Sequence, residues 1–332
     1  MGVRIAVDAM GGDHAPREIV LGALKAIEED PDIHVVLVGR EEAVRAELPE
    51  GHDARRVSIV HATEVIECSE SPADGLRRKK DSTVVRGLRL VSEGGADAFV
   101  GAGSTGAVVG GATLFWRLIP GVLKAGIAVT IKQKTGYTLL MDVGANVSCK
   151  PVHLLHYGML ASIYAERVLD VAKPRVGLLN IGSEEAKGND LVKETRELFA
   201  HAPFNFVGHV EGNDLFNHTA DVVVCEGFVG NVVLKVIEGF AESLHSKLEE
   251  MVGEVIDVGD GAVRVLIDRF KKIGDYAEVG GAPLLGVNGT CLICHGRSDR
   301  RAISNAVKLA ARYVRSRALA TMADGLKTYQ AT

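Results

Sequence analysis

Ile5-Ala6-Val7-Asp8-Ala9-Met10-Gly11-Gly12-Asp13-His14-Ala15-Pro16-Arg17 is an apolar run that stops abruptly in two glycines, an acid, a histidine and a proline. The run predicts a short buried strand, a tight turn, and a helix started near Pro16. In open α/β sheets, ligands sit beyond the carboxyl ends of the strands. Gly11 and Gly12 lack a Cβ, so backbone there can approach a ligand closely. The helix after Pro16 would aim its positive end at the same place. These residues therefore predict an anion site in an α/β enzyme.

The same alternation continues outward. Apolar runs at 34–39, 57–61, 98–101, 127–131, 138–142, 176–181, 205–210, 221–225 and 291–295 read as strands. Helical patterns lie at 17–29, 41–48, 82–93, 105–118, 152–169, 184–200, 229–252, 262–273 and 300–320. Strand–helix alternation predicts parallel βαβ units with helices on both faces. No linker or repeat divides the 332 residues, so 1–332 reads as one α/β domain. One segment departs from the pattern. The helix after Val229 carries Ile237, Phe240, Leu244, Leu248 and Met251 on one stripe, and Val263, Leu266, Ile267 and Phe270 repeat the spacing after a Gly253–Gly261 loop. Residues 229–273 thus predict a helical hairpin that projects from the sheet, for packing on a partner subunit or a membrane.

Composition excludes several classes. A net charge of −5 supplies no basic field for nucleic acid, and 5% aromatics with one tryptophan leave no base-stacking platform. The longest uncharged stretch, Ala98–Trp116, is long enough to raise a membrane span, but its five glycines read as strand, turn and helix. No secretory signal is visible, and five cysteines read as free thiols of a cytoplasmic protein. Cys291 and Cys294 lie three apart in a strand-like run, on opposite faces, and do not form half a metal site.

Gly101-Ala102-Gly103-Ser104-Thr105-Gly106 fits the dinucleotide fingerprint between strand and helix. The fingerprint also wants an acid about twenty residues later, and none occurs from Ala107 to Met141. What survives is a cradle of N–H groups and two hydroxyls suited to phosphate. Arg77-Arg78-Lys79-Lys80-Asp81-Ser82 places cations before a helix start, where a bound anion accounts for them better than the alternative of a solvated face. Polar strand ends recur at Asp142–Lys150, Asn180–Asp190, Glu226–Asn231 and Gly286–Gly289, and together they predict one cleft at one sheet edge. Asn146, Asn180, Asn231 and Asn288 suit orientation and oxyanion contacts better than proton transfer. No motif supplies a Ser or Cys nucleophile or a metal-binding pair of histidines.

Seven stretches taken in order are more specific than any alone. They are Val7–Asp13, Arg78–Ser82, Ala102–Ala107, Asp142–Asn146, Leu179–Gly182, Gly227–Asn231 and Gly280–Gly286. With them the chain closely resembles the bacterial acyl-acyl carrier protein:phosphate acyltransferases of phospholipid synthesis, the PlsX family, from Ile5 to the last helix. The resemblance implies a Rossmann-like αβα sandwich of the isocitrate dehydrogenase and phosphate acetyltransferase type. It implies transfer of a long acyl chain from a carrier-protein thioester to inorganic phosphate, with phosphate as nucleophile, no covalent acyl-enzyme and no cofactor. Expected partners are acyl carrier protein, a second copy in a homodimer, and the membrane glycerol-3-phosphate acyltransferase, met by peripheral contact at the inner face of the membrane. Alternatives are a phosphate acetyltransferase-like enzyme using acyl-CoA, and a non-catalytic docking partner for carrier protein or membrane.

Site residues follow from both readings. Asp13, His14, Lys80, Asn146, Lys187 and Asn231 are the candidate catalytic groups. Gly11, Gly12, Lys79, Ser104, Thr105, Gly106, Lys150, Asn180 and Asn288 are the candidate substrate-binding groups. Phosphate is expected among Lys79, Lys80, Ser104 and Thr105, with Asp13 and His14 tuning its protonation.

Overall fold

The computed structural model describes residues 2–133, 136–255 and 280–330. β1 (Val3–Asp8) is buried at every position except Arg4. Such a run is apolar on both sides because helices cover both faces of the sheet. Ile5 and Val7 enter one core cluster and Ala6 the other. Ten further strands complete the sheet: β2 (Ile33–Gly39), β3 (Val57–His61), β4 (Ala98–Gly101), β5 (Gly126–Lys132), β6 (Tyr137–Met141), β7 (Arg175–Leu179), β8 (Asn205–Val210), β9 (Val222–Val224), β10 (Ala282–Leu285) and β11 (Cys291–Ile293). They lie in the order β3-β2-β1-β4-β11-β10-β5-β6-β9-β7-β8.

The sheet is not parallel throughout, as the alternation had predicted. β3, β2, β1, β4 and β11 form a parallel block. β6, β9, β7 and β8 form a second. Between them β10 runs antiparallel to both β11 and β5, and β5 runs antiparallel to β6. Three reversals leave the two blocks pointing in opposite directions, so their carboxyl ends do not meet at one edge. β10 escapes the sequence reading because it is four residues long, contains Pro283 and is flanked by glycines, all of which argue against a strand.

One face carries α1 (Arg17–Glu29), α6 (Pro151–Arg167), α9 (Arg300–Ser316) and α10 (Ala318–Gln330), which contribute Ile19, Leu154, Ile303 and Met322 to one cluster. The other carries α4 (Thr83–Ser92), α5 (Thr105–Trp116) and the long α8 (Gly227–Val255), with Leu88, Val108 and Ile237 against the second. α2 (Glu41–Glu47), α3 (Pro72–Arg78) and α7 (Asp190–Ala200) complete the helices described. The predicted 300–320 helix is two helices, parted at Arg317 in the left-handed region, φ 55°. α7 starts at Asp190, not Glu184, because the Asn189 side chain caps it by accepting Val192 N–H at 3.0 Å. α3 was not predicted, and it changes the meaning of the basic run. Arg77 and Arg78 form its last turn, where cations favour the helix dipole. Of the predicted 229–273 hairpin, only the first helix is described; residues 256–279, with the second helix and the tip, lie outside the described residues.

Two glycines of α8 separate packing from propensity. A Cβ on Gly230 would lie 1.9 Å from the Asp142 carbonyl oxygen, whereas one on Gly239 meets nothing within 4 Å. Gly230→Ala should destabilise the fold by about 3 kcal/mol, the cost of overpacking against backbone. Gly239→Ala should stabilise it by about 0.5–1 kcal/mol. Urea denaturation midpoints measure both. A second test uses pH. Glu18 accepts Arg300 N–H at 3.0 Å and its guanidinium at 2.6 and 2.9 Å, and this bonding holds its carboxyl at about 2. A depressed carboxyl contributes stability above its unfolded value, about 4.3. The stability deficit of Glu18→Gln should therefore be full at pH 6–7 and vanish as the pH falls through about 2.

Candidate active site

A cleft of about 580 Å³ opens on the sheet face under α8, where the strand direction reverses. Ile127, Val129, Val143, Ala282 and Ile293 give it an apolar floor. Asn231, Leu234, Lys235 and Glu238 line it from α8, and Gly103–Gly106 line it from the start of α5.

The first turn of α5 is electrostatically open. Ser104, buried, is its N-cap residue, yet its side chain makes no capping bond, and no acid stands in the first turn. Four other long helices are closed by side chains, whereas the N-cap residues of α1 and α6, like that of α5, make no side-chain capping bond. Ser82, Asn189 and Asp299 cap α4, α7 and α9 with their side chains. Glu226 accepts Phe228 N–H at 2.8 Å and Val229 N–H at 3.0 Å at the start of α8. An uncapped helix start presents N–H groups and partial positive charge to whatever enters the cleft.

Two loops support that turn. A Cβ on Gly11 would lie 2.8 Å from the Gly103 N, and one on Gly12 3.0 Å from the Gly296 oxygen. Gly12 also adopts φ +99°, which favours glycine. These glycines thus admit neighbouring backbone, not ligand as the sequence had predicted. Asp13 N–H donates to the Gly296 carbonyl at 2.8 Å, tying the β1 and β11 loops together. His295 lines the cleft beside Gly296; its Nδ1 accepts Arg297 N–H at 3.1 Å. Burial lowers the His295 pKa and keeps the ring neutral near pH 7.

Two buried aspartates stand behind the loops. Asp8 ends β1, and its Oδ1 accepts Met10 N–H at 3.1 Å. Burial pushes its carboxyl up to about 6, against the Thr83 hydroxyl and the N–H groups of Met10 and Gly11. A raised carboxyl favours the fold at low pH. That contribution is lost as pH rises from about 4 to 6, and by pH 7 an ionised Asp8 costs on the order of 3 kcal/mol. Asp142 follows β6 and is better served. Its Oδ1 accepts N–H groups of Ile127, Gly144 and Ala145 at 3.0, 3.2 and 3.0 Å, and its Oδ2 accepts Asn146 N–H at 2.9 Å. Burial still raises its pKa.

Of the sequence-predicted residues, Ser104, Thr105, Gly106 and Asn231 share the cleft. Asp13 borders it through Gly296; His14 is exposed and its carbonyl accepts Glu18 N–H. The others need correction. Lys79 donates to the Val65 carbonyl at 2.6 Å and to Glu70 at 2.5 Å; Lys80 donates to the Leu76 carbonyl at 3.1 Å. Neither lines the cleft. Asn146 is a loop anchor: its amide donates to Ala125 O at 2.5 Å, Tyr157 Oη at 2.8 Å and Asp142. Lys150 caps α6, its N–H meeting His153 Nδ1 at 3.0 Å. Asn180 braces the loop after β7, donating to Lys187 O at 3.2 Å and meeting His209 at 3.0 Å, while the Lys187 side chain is exposed. Asn180 and Lys187 follow β7, two strands beyond β6 in the sheet, and do not line the cleft. Asn288 precedes β11 and so sits at the end away from the cleft. Among the described residues, the Lys or Arg that lines the cleft is instead Lys235, 2.7 Å from Glu238 on α8. Spacing Asn231–Lys235–Glu238, at i, i+4, i+7 on one helix face, could have signalled it.

Comparison with known proteins agrees with this architecture. Residues 3–320 match the family model described as fatty acid synthesis protein. The chain is 51% identical over 317 residues to a phosphate acyltransferase of Desulfitobacterium hafniense, covering 95% of each chain. It is 46% identical over 330 residues to one of Pelotomaculum thermopropionicum, covering 99% of this chain and 96% of the other. A phosphotransacetylase of Streptococcus pyogenes shares the fold at TM-score 0.63 and 15% identity, over 94% of each chain. A branched-chain phosphotransacylase of Enterococcus faecalis shares it at 0.55 and 15%, over 94% of this chain and 99% of that one. With the family match and the close relatives both spanning nearly the whole sequence, the chain belongs to the phosphate acyltransferases of the fatty acid synthesis protein family.

Proposed function

We propose that this acyltransferase moves a long acyl chain from the thioester of acyl carrier protein to inorganic phosphate, which is held at the open start of α5. The observation that carries this reading is the uncapped N-terminus of α5 facing an apolar-floored cleft. Phosphate meets the N–H groups of Thr105 and Gly106 and the Ser104 hydroxyl. Lys235 offsets its charge. The thioester arm lies along Ile127, Val129, Val143 and Ala282. A phosphate oxygen attacks the thioester carbonyl carbon, the oxyanion is met by Asn231, and the C–S bond breaks to release thiolate. A free thiol has a pKa of about 8.5, so the leaving group needs little protonation. No step requires a side-chain nucleophile. Holding both reactants in one cleft replaces a bimolecular encounter by an oriented one.

The chain is further proposed to work as a homodimer, at the inner face of the membrane and beside the glycerol-3-phosphate acyltransferase that consumes its product. The outer side of α8 leaves Phe228, Val232, Val236 and Phe240 exposed, one per turn, which suits a second copy. No helix of the described residues is long and apolar enough to cross a membrane, so membrane contact would be peripheral.

The reaction is tested with purified protein treated with EDTA, without nucleotide. Acyl phosphate should form from palmitoyl carrier protein and phosphate, detected by mass spectrometry. Equal turnover with palmitoyl-CoA would instead favour the coenzyme donor. Lys235→Met should lower kcat/KM for phosphate about 100-fold, the scale of a charged transition-state contact, and Ser104→Ala about 5-fold, the scale of one neutral hydrogen bond. Lys80→Ala, outside the cleft, should stay within a factor of two. Should Lys80→Ala show the larger loss, the phosphate would lie on the basic run.

A further inference from the structure

Beyond the groups that meet substrate, we infer that Asp8 is the positioning residue of the phosphate site, holding the first turn of α5 in place through the Gly11–Gly103 contact. The inference rests on the phosphate reading above and adds to it a residue that touches no substrate. Asp8 is 1% exposed and does not line the cleft. Its Oδ2 lies 2.7 Å from where a Gly11 Cβ would be and 3.5 Å from where a Gly103 Cβ would be. Gly11 is therefore wedged between this carboxylate and the Gly103 nitrogen, with no room for a side chain. Gly103 is followed at once by Ser104, the N-cap residue, and by Thr105, the first residue of α5. Any shift of the Asp8 carboxylate is passed through two glycines to the N–H groups that receive the anion.

Two observations separate this from ordinary core packing. First, the carboxylate is sparsely bonded for a buried acid. Asp142 collects backbone N–H groups from Ile127, Gly144, Ala145 and Asn146, whereas Asp8 has Met10 N–H at 3.1 Å and faces Gly11 N–H. The fully buried Thr83 hydroxyl also faces it, yet has no partner at full hydrogen-bonding geometry. Second, an ionised Asp8 disfavours the fold near neutral pH. A group kept at a cost to stability, beside a binding loop, is the pattern expected of a functional position.

The test is steady-state kinetics of Asp8→Asn, which keeps the shape but replaces one acceptor by a donor pair facing Gly11 N–H. Its melting temperature at pH 8 should be no lower than that of the wild type, because the buried charge is gone. Its KM for phosphate should rise about 10-fold or more, the scale of a lost charged hydrogen bond, with the KM for acyl thioester within a factor of two. Gly11→Ala should give a similar phosphate defect. In the double variant the two effects should not multiply, since both act through one contact. A wild-type phosphate KM in a folded Asp8→Asn protein overturns the inference. So does a rise in both KM values together with a lower melting temperature, which is a structural role. If Asp8→Asn does not fold, Thr83→Val carries the test, with a phosphate KM raised about 3-fold expected and an unchanged one overturning it. Wild-type protein that forms no acyl phosphate would defeat the functional reading instead.

Discussion

The antiparallel pairing of β10 with β5, Leu284 opposite Ile127 and Leu285 opposite Gly126, is the constraint on which the rest of the molecule depends. Without it there are two parallel blocks and no cleft. β10 spends its first half on β11 and its second half on β5. The carboxyl end of one block and that of the other are thereby brought to opposite ends of one four-residue strand. Loops of both blocks reach the same face: Gly103–Gly106 from one, Val143 and Gly144 from the other. Gly126 shows how tight the seam is, since a Cβ there would lie 2.8 Å from the Met141 Cε.

Each block closes on the cleft with a loop braced by a buried aspartate, and the two are braced differently. Asp142 is enclosed by N–H donors and closes its turn, and a Cβ on Gly144 would lie 3.5 Å from the Asn231 Cγ at the start of α8. Asp8 has fewer donors and a raised pKa. Buried carboxylates are costly unless hydrogen-bonded. The better-paired one belongs to the side that carries the apolar floor, and the poorly paired one to the side that carries the open helix start. Side chains close α4, α7 and α9, while α5 is left open where it borders the cleft, so its partial positive charge faces that space.

Much of this was legible in the sequence, for physical reasons that also mark where legibility stops. The strand Ala98–Gly101 is a continuous apolar run followed by turn residues, and its bounds were read correctly, as were those of Val57–His61 and Asn205–Val210. Ala98–Trp116 resolved into strand, turn and helix because five glycines cannot sit in a span. The open α5 start was readable because Gly103-Ser104-Thr105-Gly106 has no acid near it. Strand direction was not readable. Local pattern is identical for parallel and antiparallel buried strands, so the reversal at β10 was invisible. The basic run misled because charge in sequence does not say to which helix it belongs; Arg77 and Arg78 close α3. Lys79 read as a substrate-binding cation and Asn146 as a catalytic amide, yet their hydrogen bonds are consumed in holding loops.

α8 has two sides with different duties. Leu234, Lys235 and Glu238 face the cleft, while Val232, Val236 and Phe240 face outward, interleaved within the same two turns. A helix moves as a rod, so a displacement of about 1 Å on its outer face is delivered almost undiminished to its inner face. A partner seated on Val236 and Phe240 would therefore set the height of Lys235 above the cleft floor. Two such helices against each other would make the occupancy of one cleft felt at the other, and cooperativity between sites would need no dedicated relay.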